Sequence, residues 1–131
     1  MTTSPLLTVR AFAHPQGCRS YLIHDAASGE GLVLDAHLDA VAEIGWACKE
    51  EGIRLRWVVD SHTHADHPSG SAELAALTDA ARVAHAEAGH TGIDHAVADG
   101  DRLALGAEAV EVRHAPGHTP DHVVLILSLI H

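Results

Sequence analysis

Cysteine is scarce in this chain: Cys18 and Cys48 are the only two among 131 residues. They are too few and too far apart for a disulfide framework, and neither forms a Cys-x-x-Cys pair. A stapled mini-protein is therefore excluded, and a reducing, cytoplasmic setting is expected. Neither cysteine lies beside a basic residue at an evident helix start, so both read as small buried thiols rather than redox centres. Large rings are equally few. Phe12, Tyr21, Trp46 and Trp57 make up the 3% aromatic content, so the core must be aliphatic and base stacking has little to work with. Cations are short as well: eight Lys plus Arg stand against eighteen Asp plus Glu, a formal charge of −10. That balance repels phosphate backbones and anionic headgroups, so neither nucleic acid nor a membrane surface is an expected partner. The longest apolar run, Val123 to Leu127, is far short of a bilayer span, and Met1 to Arg10 lacks the pattern of a secretory leader.

Histidine is what the chain has in excess: thirteen, beside the single lysine Lys49. Imidazole is the commonest protein ligand for transition metals, so a metal site is the first chemistry to seek. With 47% hydrophobic residues and a length of one domain, the chain is large enough to bury a single core.

The element grammar is α/β. Leu6 to Phe12 predicts a first strand. Ser20 to His24 and Gly31 to Asp35 predict a hairpin across the turn-rich residues 25 to 29. Apolar residues at Leu38, Val41, Ala42, Gly45 and Cys48 predict an amphipathic helix to Glu51, ended by Gly52. Arg54 to Asp60 reads as a strand. A second helix, capped by Ser69 or Ser71 and running to about Ala81, would turn Leu74, Ala75, Leu77 and Thr78 inward. A loop is expected from after Ala84 to Val97, then a turn at Asp99-Gly100-Asp101 into Arg102 to Leu105. Strands at Glu108 to His114 and Val123 to Ser128 follow.

Two histidine clusters punctuate this order. His62, His64, Asp66 and His67 fall within six residues just past a predicted strand end. In an extended segment residues two apart share a side, so His62 and His64 can address one ion while Asp66 and His67 turn toward a neighbouring position. The alternative is a solvated polar loop. The second cluster holds His114, His118 and His122, where Pro116, Gly117 and Pro120 forbid a helix that would align all three. His118, in a tight turn, is the ligand candidate; His114 and His122 read as strand-end residues. His85-Ala86-Glu87 lacks the Pro-Cys-x-x-Cys partner of a zinc deaminase, and His85 to His90 is not His-Glu-x-x-His. His85, His90 and His95 are therefore read as loop residues.

The complete His-x-His-x-Asp-His run at 62 to 67, followed in order by Gly117-His118-Thr119, resembles the metallo-β-lactamase superfamily. Within it the chain is most similar to persulfide dioxygenases and lactamase-fold proteins fused to rhodanese domains. That similarity takes in Tyr21-Leu22-Ile23, the run from Ser61 through Pro68 to Ser71, Asp99-Gly100-Asp101-Arg102 and Ala115 to His122. The resemblance implies an αββα sandwich of which residues 1 to 131 would supply the N-terminal half. It also implies a ferrous ion held by His62, His118 and a carboxylate, with oxygen inserted into glutathione persulfide to give sulfite and glutathione. His64, Asp66 and His67 would then orient ligands and substrate, Asp66 being the catalytic candidate. Glyoxalase II, a zinc thioester hydrolase, shares the motifs. On that reading His62, His64 and His118 hold one metal, and Asp66 with His67 helps hold a second. Family members continue to a Gly-Asp segment that supplies the metal carboxylate, and this chain does not, so Asp66 is the available substitute. A fragment of a longer enzyme is thus expected, and a third reading is an inactive metal-binding module. The aliphatic sheet face left uncovered would be a liability for aggregation or a surface for homodimerisation.

Overall fold

The computed structural model describes residues 7–13, 19–61, 69–86, 92–115 and 123–127. Among these described residues nine strands and two α-helices form two sheets with one helical layer. β1 (Thr8–Ala13), β2 (Arg19–His24) and β3 (Glu30–Leu34) form an antiparallel meander. β4 (Arg54–Val59), β5 (Ala81–His85) and β6 (His95–Val97) extend it in parallel, giving a six-stranded sheet in chain order. The parallel steps from β3 to β4 and from β4 to β5 carry α1 (Val41–Glu51) and α2 (Ser71–Thr78), as βαβ units require. A second, antiparallel sheet holds β7 (Arg102–Leu105), β8 (Glu108–His114) and β9 (Val123–Leu127).

Strand alternation sorts the core into two clusters. Phe12, Leu22, Val33, Leu55 and Val58 face the helices and meet Ile44, Ala47, Cys48, Leu74 and Ala75. Ile23, Leu32, Val59, Val83 and Val97 face the second sheet and meet Leu103, Leu105, Val110, Val112 and Val123. The first sheet is therefore covered on both faces, and each fully buried aliphatic side chain contributes about 1.5–3 kcal/mol. A register shift opposite Gly31 and Leu32 leaves Arg56 out of the pairing, so Leu55 and Val58 face the helices while Trp57 and Val59 face the sandwich interior. The Trp57 indole N–H donates to the carbonyl of Ala104 at 2.8 Å, tying the two sheets together. Phe12 is the only aromatic residue among the buried hydrophobics described, as an aliphatic core requires.

Several expected elements differ in detail. The first helix opens with a 3-10 turn (Leu38–Ala40), and its buried stripe is Ala40, Ile44, Ala47 and Cys48, with Ala42 exposed. Gly52 ends it as expected, at φ 67°, donating to the carbonyls of Cys48 and Lys49. The second helix stops at Thr78 because Asp79 takes the left-handed conformation, φ 60°. Leu77 is 64% exposed rather than inward, since two turns of helix bury only Ser71, Leu74 and Ala75. Where a loop is expected from after Ala84 to Val97, β5 runs to His85, and His95–Val97 adds a sixth strand beside it. No helix among the described residues is long and apolar enough to cross a membrane.

Candidate functional site

Parallel strands β3, β4, β5 and β6 finish on one edge of the first sheet, the edge where α/β sheets place their ligands. The ladder continues one residue past three of them. The amide of Asp35 donates to Val59, that of Asp60 to Val83 and that of Ala86 to Val97, at 2.8 to 3.0 Å. Backbone at this edge is thus hydrogen-bonded up to Asp60, two residues before His62.

Residues 62–68 run between two fixed points. On the near side Asp35, held at φ 57°, accepts the backbone N–H of Ser61 at 2.7 Å and its hydroxyl at 2.6 Å. On the far side Ser69 pairs with His37 as an isolated bridge, and the Gly70 amide donates to Ala36 at 2.8 Å. Gly70 is required by space: a Cβ there would stand 2.5 Å from Cγ2 of Val41 and 2.8 Å from the carbonyl oxygen of His37. Beside these anchors, buried Asp60 accepts the Ser71 hydroxyl at 2.6 Å and lies 3.8 Å from the Arg82 guanidinium. That carboxylate joins the end of β4, the start of α2 and β5. Ser20 completes the frame, its hydroxyl donating to the Asp35 carbonyl at 2.7 Å and accepting the His37 amide at 3.1 Å.

Residues 116–122 have matching anchors. His114 ends β8, as a strand-end reading expects, and its amide donates to the Asp99 carboxylate at 2.8 Å. That hydrogen bond, then the Arg113 side chain, lowers the pKa of Asp99 below the ordinary carboxylate value. The His114 ring stacks on His85 with centroids 3.8 Å apart and planes 19° apart, joining the end of β8 to the end of β5. His85 is a buried strand-end residue, not a loop residue, because β5 is one residue longer than the sequence pattern indicates. Where the segment returns, the amide of Val123 donates to the carbonyl of Ser61 at 2.7 Å. The residue before His62 is therefore hydrogen-bonded to the residue after His122.

His62, His64, Asp66, His67, His118 and His122 themselves lie outside the described residues, as do Cys18 and His90. Among the described residues no group of three or more His, Cys, Asp and Glu side chains is arranged to hold a metal ion. The donor chemistry of the five candidate ligands, four imidazoles and one carboxylate, fits iron or zinc. Sequence reasoning missed the supporting residues Asp35, Asp60 and Ser61 and the His85–His114 pair. Only the position of each aspartate, directly after an apolar strand, signalled the first two. His95 lies exposed in β6, not in a loop, with its ring tilted against Trp57 at 5.6 Å.

Comparison with known proteins follows the same pattern. No family model matches the chain. It is 33% identical over 126 residues to the bovine (Bos taurus) mitochondrial persulfide dioxygenase ETHE1, across 95% of this chain and 49% of that protein. It is 38% identical over 111 residues to the hydroxyacylglutathione hydrolase of Fuscovulum blasticum, across 79% of this chain and 41% of the relative. A crystal structure of a metallo-β-lactamase from Staphylococcus aureus superposes with a TM-score of 0.84 at 27% identity, across 94% of this chain and 38% of that one. The chain thus spans about half the length, or less, of the curated relatives it matches.

Proposed function

We propose that this chain, a metallo-β-lactamase superfamily member by its relatives and its fold, belongs to an iron-dependent persulfide dioxygenase acting on glutathione persulfide. The observation that supports this most directly is the 2.7 Å hydrogen bond from Val123 to Ser61, which roots both histidine-bearing segments at one point on the strand-end edge. His62 and His118 would hold the metal with a carboxylate, Asp66 being the candidate in this chain. His64, Asp66 and His67 would orient the ligands and the substrate. Bound there, a ferrous ion supplies open positions for dioxygen and a substrate sulfur. The remaining work falls to the scaffold: Asp35 fixes where residues 62–68 begin, Asp60 fixes the helix onto which they return, and His114 fixes the start of residues 116–122. Small-molecule thiols are the proposed substrates and the cytoplasm the proposed location, although the mammalian ETHE1 relatives are described as mitochondrial. A specific observation favours a second reading, zinc-dependent thioester hydrolysis: hydroxyacylglutathione hydrolases are the more identical relatives over the stretch they share.

The readings separate in one set of assays. The iron-loaded chain is expected to consume oxygen with glutathione persulfide and release sulfite, and His62→Ala and His118→Ala are expected to abolish both. Hydrolysis of a glutathione thioester without oxygen uptake would replace this reading by the second. Metal retained with neither activity would mark the chain as a binding module.

A further inference from the structure

Eight Lys plus Arg side chains serve a chain of charge −10, and most are committed to structure. Arg10, Arg54, Arg56, Arg82 and Arg113 each pair with a carboxylate. Lys49 sits in the helical layer, and Arg102 takes an outward position on the second sheet, where Leu103 and Leu105 of the same strand are the buried ones. Arg19 remains. It is exposed, its side chain makes no ion pair among the described residues, and it opens β2. An exposed arginine is ordinary in itself; the place of this one is not. β2 runs antiparallel to β3 with Tyr21 opposite Leu34, so Arg19 lies level with the strand-end edge. Strand alternation puts Arg19 on the face of Tyr21 and Ile23, and Ile23 packs toward the second sheet. The next residue, Ser20, already belongs to the frame of the site: its hydroxyl holds Asp35 and His37, and Asp35 holds Ser61, the residue before His62.

We infer that Arg19 holds a carboxylate of the substrate's glutathione moiety; this rests on the reading proposed above, that the site takes a glutathione conjugate. Glutathione carries its sulfur on the middle residue of three and a carboxylate at either end. With the sulfur at the metal, one arm of the tripeptide can run along the strand-end edge toward β2. β2 stands two strand spacings, about 10 Å, from β4, a gap that such an arm and an arginine side chain bridge together. The planar guanidinium matches a carboxylate through two parallel hydrogen bonds, which sets the direction of the tripeptide as well as holding it. A chain this acidic repels an anionic substrate in general, so an uncommitted cation beside the site decides which anions it accepts. Persulfide and thioester of glutathione share these carboxylates, and Arg19 selects for the carrier rather than for the reacting group.

Calorimetric titration of the 131-residue chain with glutathione, and with glutathione diethyl ester, in which both carboxylates are masked, tests this. Circular dichroism and metal content confirm that each variant is folded and loaded like the parent. Arg19→Ala is expected to weaken glutathione binding about tenfold or more and to leave the affinity for the diethyl ester unchanged. Arg19→Lys, which keeps the charge without the fork, should fall between Arg19→Ala and the parent. Equal glutathione affinity in Arg19→Ala and the parent, an equal loss for glutathione and its ester, or a parent that binds no glutathione would each overturn the inference. The reading beneath it fails differently. Thioester hydrolysis without oxygen uptake would replace the dioxygenase and leave the Arg19 effect in place, whereas an absent Arg19 effect would leave oxygen uptake standing.

Discussion

Replacing Asp60 by Ala would remove the acceptor of the Ser71 hydroxyl and leave the mostly buried Arg82 guanidinium beside an empty space. Losing one side of a buried charged contact is costly, so Asp60→Ala should lower stability by about 3 kcal/mol in urea titration, far beyond an ordinary surface substitution. Cys48 makes a separate prediction. Burial pushes its thiol from the ordinary 9.0 up to about 11, with nearby Glu51 adding to the rise. The neutral thiol is thereby favoured in the folded state. This contribution is complete below pH 9 and lost as pH rises toward 11, where the unfolded chain ionises first. Stability measured across that window should fall, and Cys48→Ala should remove part of the fall. The thiol was legible in the sequence as a buried, unreactive group; the partners of Asp35, Asp60 and His85 were not. Each of those contacts joins residues far apart in the chain, and no local pattern records them.

Elements were legible where their signal is local. The hairpin of β2 and β3, the glycine that ends α1 and the strands of the second sheet follow from alternation and turn chemistry. The phase of α1 was not. Its 3-10 opening turns the chain by about 120° per residue instead of 100°, a drift of roughly 60° over three residues that carries Ala42 out and Ala40 in. β6 escaped notice because three residues, two of them exposed, carry no periodicity; it is a strand because β5 offers an edge to pair with. Two glycines separate stability from site at this scale. Gly52→Ala meets no neighbour and only strains a left-handed residue, so it should cost about 1 kcal/mol and leave metal retention unchanged. Gly70→Ala drives a Cβ into Val41 and the backbone of His37. It should cost about 1–3 kcal/mol and also reduce metal retention, because the return point of residues 62–68 must shift.

For the molecule as a whole, the two sheets serve to bring two distant stretches of sequence to one edge. The motifs were legible as ligand-type residues, but the meeting of Ser61 with Val123, which flank them, was not, because it depends on β9 returning beside the end of β4 across the sandwich. A chain this acidic should also gain thermal stability when a divalent cation binds beside Asp66, by mass action on the folded state. Metal binding at this edge is tested most directly by the iron and zinc content of the 131-residue chain purified without oxygen, beside its His62→Ala and His118→Ala variants. About one metal ion per chain is expected in the unaltered protein, and its loss from both variants. A chain that holds no metal, or variants that hold as much as the parent, would contradict it.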